Sequence, residues 1–182
     1  MADPFVIIEI VGYDPRWPLQ YAQERARVAA QLGDLIKSIE HIGSTSVPGL
    51  SAKPIIDMLV TVARLGPADP YIERLRSLGY IFFPVLGNPD RHTFGKGSPH
   101  THHLHIVEQG GEEHIRPLAF RNYLRTHPEA AGQYDALKWV LANRFPHDRQ
   151  AYNQAKTDFI HSIETKARAI EQDSHGSAPD WL

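Results

Sequence analysis

The chain has 182 residues, a formal net charge of -2, 42% apolar residues and no cysteine. That length suits one domain with a self-sufficient core, and the missing cysteines exclude disulfides, thiolate zinc sites and cysteine nucleophiles. The charge balance gives no general pull toward nucleic acid or acidic membranes, and no apolar run is long enough to span a bilayer.

The start, Met-Ala-Asp-Pro-Phe, lacks the basic and apolar regions of a leader. A cytoplasmic protein is expected, with one domain over 1–171 and a mobile tail over 172–182 that is rich in Ser, Gly and Pro.

Residues 5–10 form a β-branched, apolar run and read as a strand. The turn at 13–18 feeds an amphipathic helix over about 17–36, in which Trp17, Tyr21, Val28, Leu32 and Leu35 recur at helical spacing. A short strand is predicted at 38–42, then a small, polar loop at 43–50, then the strongest strand of the chain at 55–62. A helix over 69–78 ends at Gly79, and a strand follows at 80–86. Residues 91–94 and 101–107 read as paired strands. From 116 onward the pattern is helical, at about 116–126, 129–143 and 148–170. Strands early and helices late favour an α+β fold over a doubly wound parallel sheet.

The densest chemical signal is the stretch from Glu40 to Asp57, in which one strand delivers Gly43-Ser44-Thr45-Ser46 and the next carries Asp57. Gly43 lets the backbone approach a ligand closely. Ser44, Thr45 and Ser46 supply hydroxyl and amide donors suited to phosphate. Asp57 is the candidate ligand of a divalent cation bridging the phosphates. The same residues would equally make a polar turn, with Asp57 as a structural acceptor.

Histidine is frequent, at 11 residues, and His100, His102, His103 and His105 crowd together. On a strand over 101–107, Leu104 and Ile106 suit a core, which puts His103 and His105 on the other face. If this strand lies near Asp57, then Asp57, His103 and His105 form a two-histidine, one-carboxylate set, with His41 as a fourth member. Imidazole favours transition metals such as zinc or manganese over magnesium. A polar sheet face of hydrogen-bonded neutral histidines is the other reading. Lys53 and Arg121 are candidate cations for an anion pocket. There is no GxxxxGK[ST], GxGxxG or G-x-S-x-G motif, and no interleaving of basic and aromatic residues of the kind that stacks bases.

The stretch His41-Ile-Gly-Ser-Thr-Ser-Val-Pro-Gly-Leu-Ser-Ala-Lys-Pro-Ile-Ile-Asp57 resembles the signature of the GrpB family. So do His102-His-Leu-His-Ile-Val107, Phe120-Arg-Asn-Tyr-Leu-Arg125 and Tyr134-Asp-Ala-Leu-Lys138. The resemblance runs from about 6 to about 170, with the motifs in order. Through its glycine-serine loop and acidic strand, the family resembles the nucleotidyltransferase superfamily. That superfamily transfers nucleotidyl groups at a two-metal site on an α+β core.

The resemblance implies a mixed or antiparallel sheet with helices on one face and a helical C-terminal third. It also implies a nucleotide or another phosphorylated small molecule as ligand, with Mg, Mn or Zn as cofactor. Gly43, Ser44, Thr45, Ser46, Lys53 and Arg121 would bind the ligand, while Asp57, His103 and His105 would serve catalysis. One departure stands out. The superfamily pattern is Asp-apolar-Asp/Glu, so that alternate strand residues share a face and hold metal together, yet this strand reads Asp57-Met58-Leu59. Three functions follow as expectations: nucleotidyl transfer, a ligand-binding or regulatory module without catalysis, and a histidine-metal hydrolase of phosphate esters.

Overall fold

The protein is described by a computed structural model that covers residues 7–84 and 88–176. Two compact units divide the described residues: those within 10–118 form one, and 7–9 with 119–176 form the other.

The first unit opens with α1 (Trp17–Leu32), followed by β1 (Ser38–Ile42), β2 (Ile56–Val62), α2 (Asp69–Arg76), β3 (Tyr80–Phe82), β4 (Arg91–Lys96) and β5 (His102–Glu108). Proline near the start of α1 suits a first turn whose amides lack helical partners. Gly33, at φ 54°, closes the helix in a conformation that other residues avoid. Trp17, Glu24, Val28 and Leu32 are its buried stripe.

The five strands form one mixed sheet in the order β1-β2-β5-β4-β3. β2 and β5 run parallel, and the other neighbours are antiparallel. This is the α+β class expected. Because side chains alternate across a strand, the register sorts the sheet into two faces. Ile39, Met58, Val60, Phe94, Leu104 and Ile106 fall on one face and join Val28 and Leu32 of α1 and Tyr71 and Leu75 of α2 in the main core. β2 is an interior, largely apolar strand of the sheet, and every residue in it but Asp57 is buried.

The opposite face carries Asp57, Leu59 and Thr61 of β2, His103, His105 and Val107 of β5, and Arg91, Thr93 and Gly95 of β4. Leu59, 1% exposed, packs there with Ile42 and Val107, and Leu118 covers them. Leu118 comes from α3 (Glu112–Thr126), the helix in which the division between the units falls.

In the second unit, α4 (Pro128–Arg144), α5 (Arg149–Ala155) and α6 (Thr157–Gly176) follow. Tyr134 is the aromatic hub: Phe120 meets it edge-on and Phe159 stacks on it, both with ring centres at 5.3 Å. Lys138 is almost fully buried, 3.6 Å from Asp135. Burial pulls its ammonium down to about 8 against the opposing pull of Asp135.

Three expected elements differ. Residues 5 and 6 of the first predicted strand lie outside the described residues, and 7–10 join no ladder. Instead, the amide of Ile8 donates to Pro146 O (2.8 Å), and Val11 forms an isolated bridge with Ala52. The strand predicted at 80–86 is described over Tyr80–Phe82, with 85 and 86 outside the described residues. The long last helix breaks at Lys156, whose amide bonds back three residues to Asn153 O (3.3 Å), a tighter turn than an α-helix makes. α6 runs on to Gly176, and 177–182 lie outside the described residues.

Candidate functional site

Gly43 ends β1 at φ 71° and ψ −176°, a conformation open to glycine. The chain then makes one 3-10 turn over Ser44–Ser46. Its bonds turn two of the three hydroxyls inward. Ser46 Oγ donates to Gly43 O at 2.6 Å, and Thr45 Oγ1 donates to Ile55 O at 3.3 Å. Thr45 and Ser46 are accordingly buried, while Ser44 is half-exposed. The first amides of such a turn, those of Ser44 and Thr45, have no carbonyl inside it to bond.

Asp57 lies directly against this turn. A Cβ placed on Gly43 would come within 2.5 Å of Asp57 Oδ2, so the carboxylate fills the space a side chain would take. Its other oxygen, Oδ1, is 3.0 Å from His103 Nδ1 across the parallel pair, where Asp57 and His103 are register partners. The Asp57 side chain stays 28% exposed and that of His103 13%. Burial opposes ionisation of Asp57. The hydrogen bond from His103, with the charges of His103, His105 and Lys53, outweighs it and holds the carboxyl below its ordinary range.

The row continues across the sheet. His103 Nε2 is 3.4 Å from His100 Nδ1, with the rings edge to face at 5.4 Å. Gly95 is the register partner of His103 on β4. A Cβ on Gly95 would lie 2.6 Å from Phe83 Cε2 and 3.3 Å from His100 Cε1, so its bare backbone admits both rings. His105 sits one step along the same face. Its Nδ1 is 3.3 Å from Thr93 Oγ1, and its ring is 6.3 Å from that of His103. Burial pushes the His105 pKa down to about 4, the positive Arg91 and His103 add to this, and Asp57 opposes it. Arg91 pairs with Glu113 at 3.1 Å, and its buried Nε has no partner among the described residues.

The structure therefore brings Gly43, Ser44, Asp57 and His103 together, with His105 beside them. His41 is a correction. It is the register partner of Met58, on the helix-covered face, and so cannot join Asp57 as a metal ligand. Its ring stacks on Tyr21 at 4.6 Å and its Nε2 meets Thr45 Oγ1 at 3.0 Å, which braces the turn from behind. Lys53 is half-buried ahead of β2, and its charge acts on Asp57. Arg121 belongs to the other unit and donates through Nε to Asn122 Oδ1 at 3.0 Å.

The donor set does not fit a preformed metal centre. His103 has both nitrogens in hydrogen bonds, and Leu59 fills the second carboxylate position with an apolar cluster. No group of three or more His, Asp or Glu among the described residues is arranged to hold a metal ion. Sequence reasoning assigned no role to His100, Phe83, Gly95 or Thr93. The Gly95–His103 register is the signal that joins the first three, and it exists only once the hairpin is aligned. Glu40 also lies on this face, as the register partner of Leu59.

The family model described as GrpB protein matches residues 7–166. UPF0157 protein YqkA of Bacillus subtilis is 38% identical over 162 residues, which cover 88% of this chain and 47% of that one, so the chain spans about half of that relative. UPF0157 protein PA4798 of Pseudomonas aeruginosa is 38% identical over 167 residues, covering 89% of this chain and 68% of that one. A crystal structure of the conserved protein GrpB from Enterococcus faecalis aligns with a TM-score of 0.81 and 38% identity, over 87% of this chain and 96% of that one. Cid1, described as having RNA terminal uridylyl transferase activity, overlaps at a TM-score of 0.49 and 17% identity, too slight a likeness to argue from. No helix among the described residues is long and apolar enough to cross a membrane.

Proposed function

The chain belongs to the GrpB family, and from that premise we propose that it binds a phosphorylated small molecule, a nucleotide foremost, over the 43–46 turn and the Asp57–His103 pair. One observation carries this reading: a carboxylate bonded to a histidine lies against a glycine-serine turn. The Ser44 hydroxyl and the first amides of the turn are donors for phosphate oxygens. Lys53 adds positive charge next to Asp57. Asp57 orients the imidazole through its hydrogen bond, the arrangement that general acid–base chemistry needs.

Nucleotidyl transfer is the finer reading of this site. A divalent cation enters it as a companion of the ligand, since magnesium is commonly held by one or two carboxylates together with substrate phosphates. Asp57 would be its carboxylate. The apolar burial of Leu59 favours a second reading, a binding or regulatory module that keeps the pocket and performs no chemistry. A histidine-metal hydrolase has less support, because the described residues gather no three-donor set. The setting proposed is the cytoplasm, in keeping with a chain that has no cysteine.

The test is the melting temperature of the purified protein against nucleotides, sugar phosphates and inorganic phosphate, each with magnesium, manganese, zinc or chelator. Binding to the native state at a hundredfold excess over Kd adds about 2.7 kcal/mol of stability. A nucleotide-dependent rise that is lost in Asp57→Asn supports the proposal, and turnover of the bound nucleotide separates an enzyme from a binding module. No rise with any phosphorylated ligand overturns it.

A further inference from the structure

We infer that the sheet surface over Gly95 is a platform for the base of a nucleotide, with Phe83 as the ring on which the base stacks and Ile81 at its outer edge. The inference rests on the function proposed above for the phosphates. It adds the part of the ligand that sets a nucleotide apart from other phosphorylated molecules.

β3 is an edge strand. An antiparallel strand with one open face ordinarily alternates apolar with polar residues, and this one does not. Tyr80 and Phe82 pack into the main core, so Ile81 and Phe83 belong to the opposite face. Ile81 pairs with Gly95, Gly95 with His103 and His103 with Asp57, one row across four strands. The Phe83 amide donates to Thr93 O at 2.9 Å, which carries the pairing one residue past β3. Ile81 is 66% exposed, and Phe83 is half-buried. A lone exposed isoleucine needs no explanation. An isoleucine and a phenylalanine together, on the face that holds the Asp57–His103 pair, are an apolar extension of the phosphate site.

Gly95 makes this surface aromatic. Its backbone carries the Phe83 ring, whose Cε2 would lie 2.6 Å from a Cβ at that position. His100 stands beside Phe83 with ring centres 5.6 Å apart and planes at 48°. A ring laid over bare backbone, with a second ring as its wall, suits the π face of a base. The spacing fits one ligand. With strands about 4.8 Å apart, Gly95 lies about 10 Å and Ile81 about 14 Å from Asp57 along the row. That is the reach from the outer phosphates of a nucleoside di- or triphosphate to its base. With the phosphates on the 43–46 turn, the ribose crosses His103 and the base meets Phe83.

The experiment pairs NMR of the full chain saturated with ATP and magnesium with calorimetry of ATP and of tripolyphosphate. The wild type is expected to show nuclear Overhauser contacts between the adenine protons and the Phe83 ring. Phe83→Ala should weaken ATP roughly 5- to 150-fold, the span of one lost base–aromatic stack, and tripolyphosphate much less. Phe83→Trp, which keeps a stacking ring, should retain ATP binding. An adenine without contacts to Phe83 overturns the inference, and so does an equal loss of ATP and tripolyphosphate in Phe83→Ala. If Phe83→Ala fails to fold, the wild-type contacts decide alone. A protein that binds both compounds with no adenine contact to Phe83 overturns this inference and leaves the proposed function standing, whereas one that binds neither overturns both.

Discussion

Asp57 and His103 face each other across the parallel pair β2–β5, carboxylate to imidazole at 3.0 Å. Since the Asp57 carboxyl sits below its ordinary range in the folded protein, the unfolded chain binds its proton first as pH falls. The stability it contributes is complete above the unfolded carboxylate pKa, about 3.9, and is lost as pH falls through the lower folded value. Asp57→Asn should therefore cost about 1–3 kcal/mol at neutral pH. Urea unfolding at a series of pH values should show the gap between wild type and variant closing in acid.

His105 works in the opposite protonation state. Its folded pKa lies at about 4, against 6.5 for a solvent-exposed imidazole. Between those values the unfolded chain takes up a proton that the folded one refuses, so stability falls as the pH drops from 6.5 toward 4. His105→Gln should remove up to about 3 kcal/mol of that slope. Urea midpoints across this range check it, and parallel pH profiles for wild type and variant would count against it.

Gly43→Ala combines two penalties. The residue holds φ 71°, where strain costs about 1–3 kcal/mol, and its new Cβ would meet Asp57 Oδ2 at 2.5 Å. The carboxylate is tied to His103 and cannot swing aside without breaking that bond. Loss of stability should thus come with loss of the Asp57–His103 contact, read by denaturation and by the His103 imidazole signals.

Leu59→Ala should cost about 2–5 kcal/mol, as for other buried leucines, because Leu59 is 1% exposed beside Ile42 and Val107. Leu59→Asp restores the superfamily's second carboxylate in sequence but places a charge in an apolar cluster. It should be less stable than the alanine variant in urea and bind no additional metal by calorimetry.

Much of this arrangement was legible before the strands were paired. The period of two over 101–107 put Leu104 and Ile106 inward and His103 and His105 outward, as found. β1 and β2 stood out through β-branched and apolar runs on either side of a small-residue turn. Local pattern does not say which strands become neighbours, so the nearness of Asp57 and His103 depended on the parallel pairing, a tertiary feature. His41 shows a signal that was present and unused. It shares the parity of Ile39, a core residue, which already assigns it to the helix-covered face. Leu59 was recognised as a missing carboxylate, whereas its partners come from β1, β5 and α3, distant in sequence. The row of His100, Phe83 and Gly95 needs the hairpin register, which a glycine inside a strand does not announce.

The most direct test of the central claim is an amide proton–nitrogen spectrum of the protein titrated with ATP, with and without magnesium. The account predicts saturable shifts centred on Ser44, Thr45, Asp57 and His103. Saturating ATP that leaves these four unmoved, or that moves signals elsewhere in their place, would contradict it.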